Sequence, residues 1–235
     1  MKKLGFLGVL PFVLLVFILF LGLIGWGSGS ASVLKPTDAD RRPHTVIIDA
    51  GHGGIDGGAT SCSGVLESHI NLQIAHVMDD LFQLLGYRTL MIRTTDESVY
   101  TEGETIAAQK VSDLKNRVNV GNTTENAVYL SIHQNTFSDS RYGGAQVFYG
   151  QDKAGKTLAD NLQKVLIDTL NPGSNRSIKK AKGVYLMEHL TCTAVLIECG
   201  FLSNPEEEAL LRSKNYQQKL CCVIASTVSA FLSNT

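Results

Sequence analysis

Three short polar clusters stand where apolar runs stop, and together they hold the residue types that hydrolytic chemistry needs. Asp49-Ala50-Gly51-His52-Gly53-Gly54 closes the run TVIID, His133-Gln134-Asn135 follows AVYLSI, and Glu198-Cys199-Gly200 follows AVLI. Glu67 comes soon after the first cluster, at the head of a long stretch of helical period. Two imidazoles and a carboxylate are the donor set of a catalytic zinc site that keeps one position open for water. A second carboxylate, off the metal, can take that water's proton. Glycines beside His52 let the backbone approach metal and substrate with no side chain in the way.

Each signal alone has a plainer explanation. A histidine after a strand is commonly a hydrogen-bonded structural residue, and Glu67 reads equally as a first-turn carboxylate favoured by the helix dipole. Glu198 is harder to explain away. It sits between AVLI and Cys-Gly-Phe-Leu, so burial is expected, and buried carboxylates need a partner. The four together outweigh the plain reading of each. The other histidines read as structural or solvated: His69 and His76 in the first helix, His189 in a loop, His44 at a linker. Cys199 lacks an evident base and is expected to pack in the core. No G-x-S-x-G occurs, which argues against a serine hydrolase of the α/β type. The loop Gly51–Gly58 lacks both the Gly-Lys-Ser/Thr of a phosphate loop and the dinucleotide-binding spacing.

The elements that must position these residues follow from periodicity. Thr45–Asp49, Thr89–Ile92, Ala127–Ile132, Ala145–Tyr149 and Ala194–Cys199 are strand-like runs, and Val184–Met187 is a candidate sixth. Between them, Leu66–Leu85, Ile106–Val120, Lys156–Leu170 and Tyr216–Leu232 carry helical spacing, and Asn204-Pro205 opens a short helix. Gly86 ends the first helix as a C-cap. On the Ile106–Val120 helix the apolar face is expected at Val111, Leu114 and Val118. Strands apolar on both faces, alternating with helices, predict a single α/β domain with a mixed, mostly parallel sheet flanked by helices. In such sheets ligands bind outside the carboxyl ends of the strands, so His52, His133 and Glu198 are predicted to meet at one rim, with Glu67 pointing back toward it.

Composition bounds the function. The chain has 235 residues, 44% hydrophobic and 18% charged, with a net charge of -1. It carries no basic stripe, and nucleic acid is not expected as a partner. Lys2 and Lys3 precede an uncharged apolar run, Leu4–Trp26, long enough for a bilayer. Residues 1–27 therefore read as a signal-anchor, or as a cleaved signal peptide if Gly29-Ser30-Ala31 is a cleavage site. Residues 28–43, rich in Ser, Gly and Pro, read as a linker, and 44–235 as the catalytic domain, with no wall-binding module expected after it. That organisation places the domain outside the cytoplasmic membrane. Five cysteines, an odd count without C-x-x-C, read as small buried hydrophobes, with a Cys62–Cys192 bridge left open.

The motifs together resemble a known family, the zinc N-acetylmuramoyl-L-alanine amidases of the type-3 group. The resemblance runs from His44 to the C-terminus. It rests on VIIDAGHGG (46–54), Glu67 with Asn71, SIHQN (131–135) and IECGFLSN (197–204). It implies zinc at His52, Glu67 and His133, a catalytic glutamate at Glu198, and peptidoglycan as substrate, cut between N-acetylmuramic acid and L-alanine. Softer features, the strand GAQVFY (144–149) and Asn175-Arg176 before Lys180-Ala181-Lys182, are similar to the spore-cortex branch of that family. That branch strips peptides from muramic acid ahead of muramic-δ-lactam formation in a sporulating cell. A zinc peptidase cutting the stem peptide would use the same site, and a wall-binding scaffold would be expected to lack a ligand or Glu198.

Overall fold

The computed structural model describes residues 44–234. The apolar N-terminal segment and linker read from the sequence lie outside these residues. Among the described residues no helix is long and apolar enough to cross a membrane. The elements run β1 (Thr45–Ala50), α1 (Glu67–Leu84), β2 (Arg88–Met91), α2 (Ile106–Thr123), β3 (Ala127–Asn135), β4 (Gln146–Tyr149), α3 (Lys153–Leu170), β5 (Lys179–Lys180), α4 (Tyr185–His189), β6 (Thr193–Phe201), α5 (Pro205–Leu211) and α6 (Lys214–Leu232).

One sheet takes all six strands in the order β2-β1-β3-β6-β4-β5. Every neighbouring pair is parallel except β4 with β6. The expected class therefore holds: an α/β domain with a mixed, mostly parallel sheet. Local chemistry sets the helix ends. Gly86 adopts φ +83°, and the amides of Gly86 and Tyr87 donate back to the carbonyls of Gln83 and Phe82, closing α1. Thr105 caps α2 through Ala108 N–H, Asp152 caps α3 through Gly155 N–H, and Asn204 caps α5 ahead of Pro205.

The two faces of the sheet are covered differently. On one, α1, α3 and α6 lay Ile70, Ile74, Met78, Leu158, Leu162 and Ile224 against Ile48, Leu130, Ile132, Val195 and Ile197. Each such side chain, fully buried, contributes roughly 1.5–3 kcal/mol. On the other, a smaller apolar group joins Ile47, Tyr129 and Leu196 to Leu186, Met187 and Leu190 of α4 and the turn after it. Here α2 departs from expectation. Its buried residues are Ser112, Arg117 and Gly121, whereas Val111 is exposed. The inner side of this helix is polar because it ties down neighbouring backbone: Ser112 Oγ accepts from the amides of Thr101 and Glu102, and Asp113 from Val99.

Three further expectations are corrected. Residues 184–187, read as a strand, begin the short helix α4, and His189 lies in its last turn rather than in a loop. β3 runs on past Ile132 to Asn135, so His133 lies on the strand and not beyond it, whereas Glu198 lies within its strand as expected. All five cysteines are free: Cys199 and Cys221 are buried as expected, but Cys62 and Cys222 are exposed, and Cys62 and Cys192 are not bridged.

Candidate active site

Register brings the four predicted residues together. His133 on β3 is the direct partner of Glu198 on β6, and Asp49 on β1 pairs with Ser131 two residues before His133. Side chains two apart share a face, so Asp49, Ser131, His133 and Glu198 all look to the thinly covered side. The β1 strand delivers His52 to the same rim, and α1 begins with Glu67 just below it.

Glu67 is the hub. It is 3% exposed, and its two oxygens diverge. Oε2 lies 3.3 Å from His52 Nε2 and Oε1 lies 3.0 Å from His133 Nδ1. Backbone amides of Ala59 and Gln134 donate to the two oxygens at 3.0 Å each, and Asn71 Nδ2 reaches Oε1 at 3.2 Å. Asn71 also donates to the Gly51 carbonyl and accepts from Gln134, so one buried amide ties the glutamate to both histidine-bearing segments. One donor atom each from His52, Glu67 and His133 lies within 4.8 Å of the others, which suits a single metal ion.

Two glycines make that approach possible. A Cβ on Gly51 would run into the His133 ring, and one on Gly58 would stand 2.6 Å from Glu67 Oε2 and 2.7 Å from His52 Cδ2. The imidazoles therefore pack on bare backbone, with ring centroids 4.9 Å apart.

His52 itself carries φ +62°, a left-handed conformation unusual for a side-chain-bearing residue. Such a backbone costs of order 1–3 kcal/mol and persists only when its surroundings over-determine it. Two buried arginines do so. Arg117 Nη2 donates to the His52 carbonyl at 2.8 Å, and Arg93 donates to the carbonyls of Ala50 and Gly51. Arg117 also forms ion pairs with Asp49 and with Asp113, and Ser131 Oγ completes Asp49 at 2.7 Å. Asp56 then fixes the ring, accepting from His52 Nδ1 at 2.9 Å while Lys110 holds the other carboxylate oxygen. With Nδ1 turned to Asp56, Nε2 is the ring nitrogen that faces Glu67. Asp56, Arg93 and Arg117 were missed from the sequence. Arg93 was in principle visible, because it ends the β2 run at the same rim as Asp49 ends β1.

The two glutamates are pushed in opposite directions. Burial opposes ionisation of Glu67, but hydrogen bonds and charge from His133 and His52 outweigh it and hold the carboxyl far below its usual range. Burial likewise opposes a charged His52, yet Glu67 and then Asp56 raise its pKa to about 9. For Glu198 burial wins. It raises the pKa to about 7, with His133 pulling down and Glu67 adding to the rise. Glu198 Oε2 is buried without a hydrogen-bond partner among the described residues. Beside His52 and His133 lies a cavity of about 230 Å³ walled by Tyr100, Leu114, Leu186 and Leu196.

Two imidazoles and two carboxylates at the carboxyl edge of an open sheet fit a hydrolase. The comparisons with known proteins agree. The family described as N-acetylmuramoyl-L-alanine amidase matches residues 46–230. A germination-specific N-acetylmuramoyl-L-alanine amidase of Bacillus subtilis (strain 168) is 34% identical over 95% of this chain and 92% of its own length. The CwlD amidase from Clostridioides difficile, solved in complex with the GerS lipoprotein, superposes with TM-score 0.78 at 36% identity. It covers 82% of this chain and 100% of that one. The catalytic domain of CwlV from Bacillus (Paenibacillus) polymyxa gives TM-score 0.69 at 27% identity, over 82% of this chain and 99% of that one. The chain belongs to the N-acetylmuramoyl-L-alanine amidase family. It is an amidase acting on peptidoglycan.

Proposed function

We propose that this amidase works with one zinc ion held by His52, Glu67 and His133, and with Glu198 as its acid–base group. The observation that carries the reading is the convergence of the three donor atoms within 4.8 Å beside the unpartnered buried oxygen of Glu198. The donor chemistry fits the ion: two nitrogens and a carboxylate on a rigid strand-and-helix frame, with Asp56 behind one imidazole. When bound, zinc supplies Lewis acidity that polarises a carbonyl and lowers the pKa of a water. Glu198 takes the proton from the attacking water and returns it to the departing amine of L-alanine. The Arg93 and Arg117 clamps keep His52 oriented throughout.

The likeness to a germination-specific amidase and to CwlD supports a role in the spore cortex, ahead of muramic-δ-lactam formation. A lipoprotein partner, as in the CwlD complex, fits that setting. Residues 1–43 serve as anchor and linker and keep the domain on the outer face of a membrane.

Elemental analysis tests the metal: about one zinc per chain is expected, as in other three-ligand catalytic sites, and His52→Ala or His133→Ala should lose it. Full zinc in both variants overturns the assignment. Digestion of cortex by the wild type should free the amino group of L-alanine, whereas a stem-peptide zinc peptidase would free a different one. Removing residues 1–43 should release a soluble, active enzyme. A folded, zinc-loaded but inactive truncation would make the N-terminal segment part of the mechanism.

A further inference from the structure

We propose that Arg176, with Lys179 beside it, forms a subsite for a carboxylate of the substrate's stem peptide. The inference rests on the amidase reading above and extends it along the substrate. A polar groove of about 790 Å³ opens between the β4 start, the 171–178 segment and α5. Its acidic groups are already engaged. Asp139 pairs with Arg141 at 2.7 Å, and the oxygens of Glu207 accept from the amides of Gly144 and Phe201 at 2.6 and 2.8 Å. Arg176, by contrast, has no carboxylate partner among the described residues. It is nevertheless held still: Nε donates to the Gly143 carbonyl at 2.7 Å, Nη1 to Gln146 Oε1 at 2.9 Å, and the guanidinium lies 4.5 Å over the Phe201 ring. A guanidinium fixed by neutral acceptors and an aromatic face, yet free of its own counter-ion, is pre-organised for a carboxylate from outside.

Its place in the sheet sets which carboxylate. His133, Glu198 and Gln146 form one row across three neighbouring strands, since Glu198 pairs with both of the others. At about 4.8 Å per strand, Gln146 lies roughly 10 Å from His133, and the Arg176 guanidinium is bonded to Gln146 and stacked on Phe201 at the end of β6. An extended peptide rises about 3.4 Å per residue. A stem peptide cut at the metal centre and running over Glu198 therefore brings its second or third residue to Arg176. A free carboxylate on either residue would meet the guanidinium as a charged acceptor, and its amide would not. The cavity beside His52, lined by Asp49, His133 and Leu196, shares no residue with the Arg176 groove and is left for the glycan end of the substrate.

The test measures kcat/KM of the zinc-loaded enzyme on three otherwise identical muropeptides: both carboxylates free, the second residue amidated, and the third residue amidated. The wild type should prefer the free form by about 10- to 100-fold, the range of a charge-assisted hydrogen bond, over one of the two amidated forms. That form identifies the residue recognised. Arg176→Gln should erase the preference, chiefly through KM, while turnover of the amidated substrate stays near the wild-type value. Arg176→Lys should restore part of it. Lys179→Gln, on the exposed edge of the groove, should weaken the preference by a smaller factor and serves if Arg176→Gln does not fold. A wild type indifferent to amidation, or an Arg176→Gln variant that slows all three substrates equally, overturns the subsite and leaves Arg176 as a brace for its loop. Failure of the wild type on every substrate would instead overturn the amidase reading beneath it.

Discussion

The two faces of the sheet solve different problems with different materials. Behind the sheet, α1, α3 and α6 build a continuous apolar layer in which Ile74, Met78, Leu162 and Ile224 are fully buried. In front, α2 turns Ser112, Arg117 and Gly121 to the interior; Arg117 donates to backbone carbonyls and carboxylates, and Ser112 accepts from backbone amides. Apolar packing is non-directional and fixes volume. Charge-assisted hydrogen bonds fix direction, which a strained His52 and a set of converging ligands require. The thick face supplies stability, and the thin face aims side chains.

The sharpest way to separate the two is on the thin face itself. Glu198→Gln is nearly isosteric and should keep metal and fold while lowering turnover by about 10²–10⁴-fold. Near-normal turnover in a zinc-loaded variant would mean that another group moves the proton. Stability probes come next. Leu162→Ala on the thick face should cost about 2–5 kcal/mol by cavity formation, measured by denaturant unfolding, with the activity of the folded fraction unchanged. Arg117→Gln on the thin face leaves Asp49 buried without its ion pair and should cost about 3–5 kcal/mol. Unlike Leu162→Ala, it should also weaken zinc binding, because the His52 carbonyl loses its donor. Equal effects of both variants on metal affinity would erase the distinction.

The smallest expected effect is one of pH. In chain stripped of metal by a chelator, Glu198 has a folded pKa of about 7 against an ordinary 4.5. The folded state then holds its proton more tightly, so this stabilisation is full below pH 4.5 and is lost as pH rises to 7. His52, raised from 6.5 to about 9, extends the loss through that second interval. Urea midpoints of the metal-free chain should fall from pH 5 to 9, and Glu198→Gln should flatten only the lower part. A midpoint that rises with pH across that range would contradict both assignments.

How much of this was legible in the sequence follows the same division. The thick face announced itself through period: Ile70, Ile74, Val77, Leu81 and Leu84 spaced along α1, of which Leu84 alone proves exposed at the helix end, and the apolar runs of β3 and β6. His52, Glu67, His133 and Glu198 were legible because they interrupt or end such runs with groups that burial disfavours. The thin face was not. Periodicity assigned Val111 inward on α2, but that helix packs through Arg117 because Asp49 and the His52 carbonyl lie opposite it, a pairing made by residues 65 or more apart. Residues 184–187 read as a strand for a related reason. Val, Tyr, Leu and Met favour either element, and only the position of Leu186 and Met187 over Tyr129 and Leu196 decides for a short helix. Arg176 stood out in the sequence only beside an asparagine, with nothing to say that Phe201 and Gln146 would hold it.

The order of the site along the chain has a consequence for when it can exist. Its members come from the turn after β1, the head of α1, β3 and β6, and α1 packs against α6, the last helix among the described residues. A growing chain has His52 and Glu67 early, but the strand that carries Glu198 is inserted between β3 and β4, both of which are made before it. The sheet is therefore zipped from its two sides and closed late. A chain stopped before Thr193 therefore carries His52, Glu67 and His133 but neither Glu198 nor the strand that joins the two halves of the sheet, so the four residues can meet only after β6 is in place.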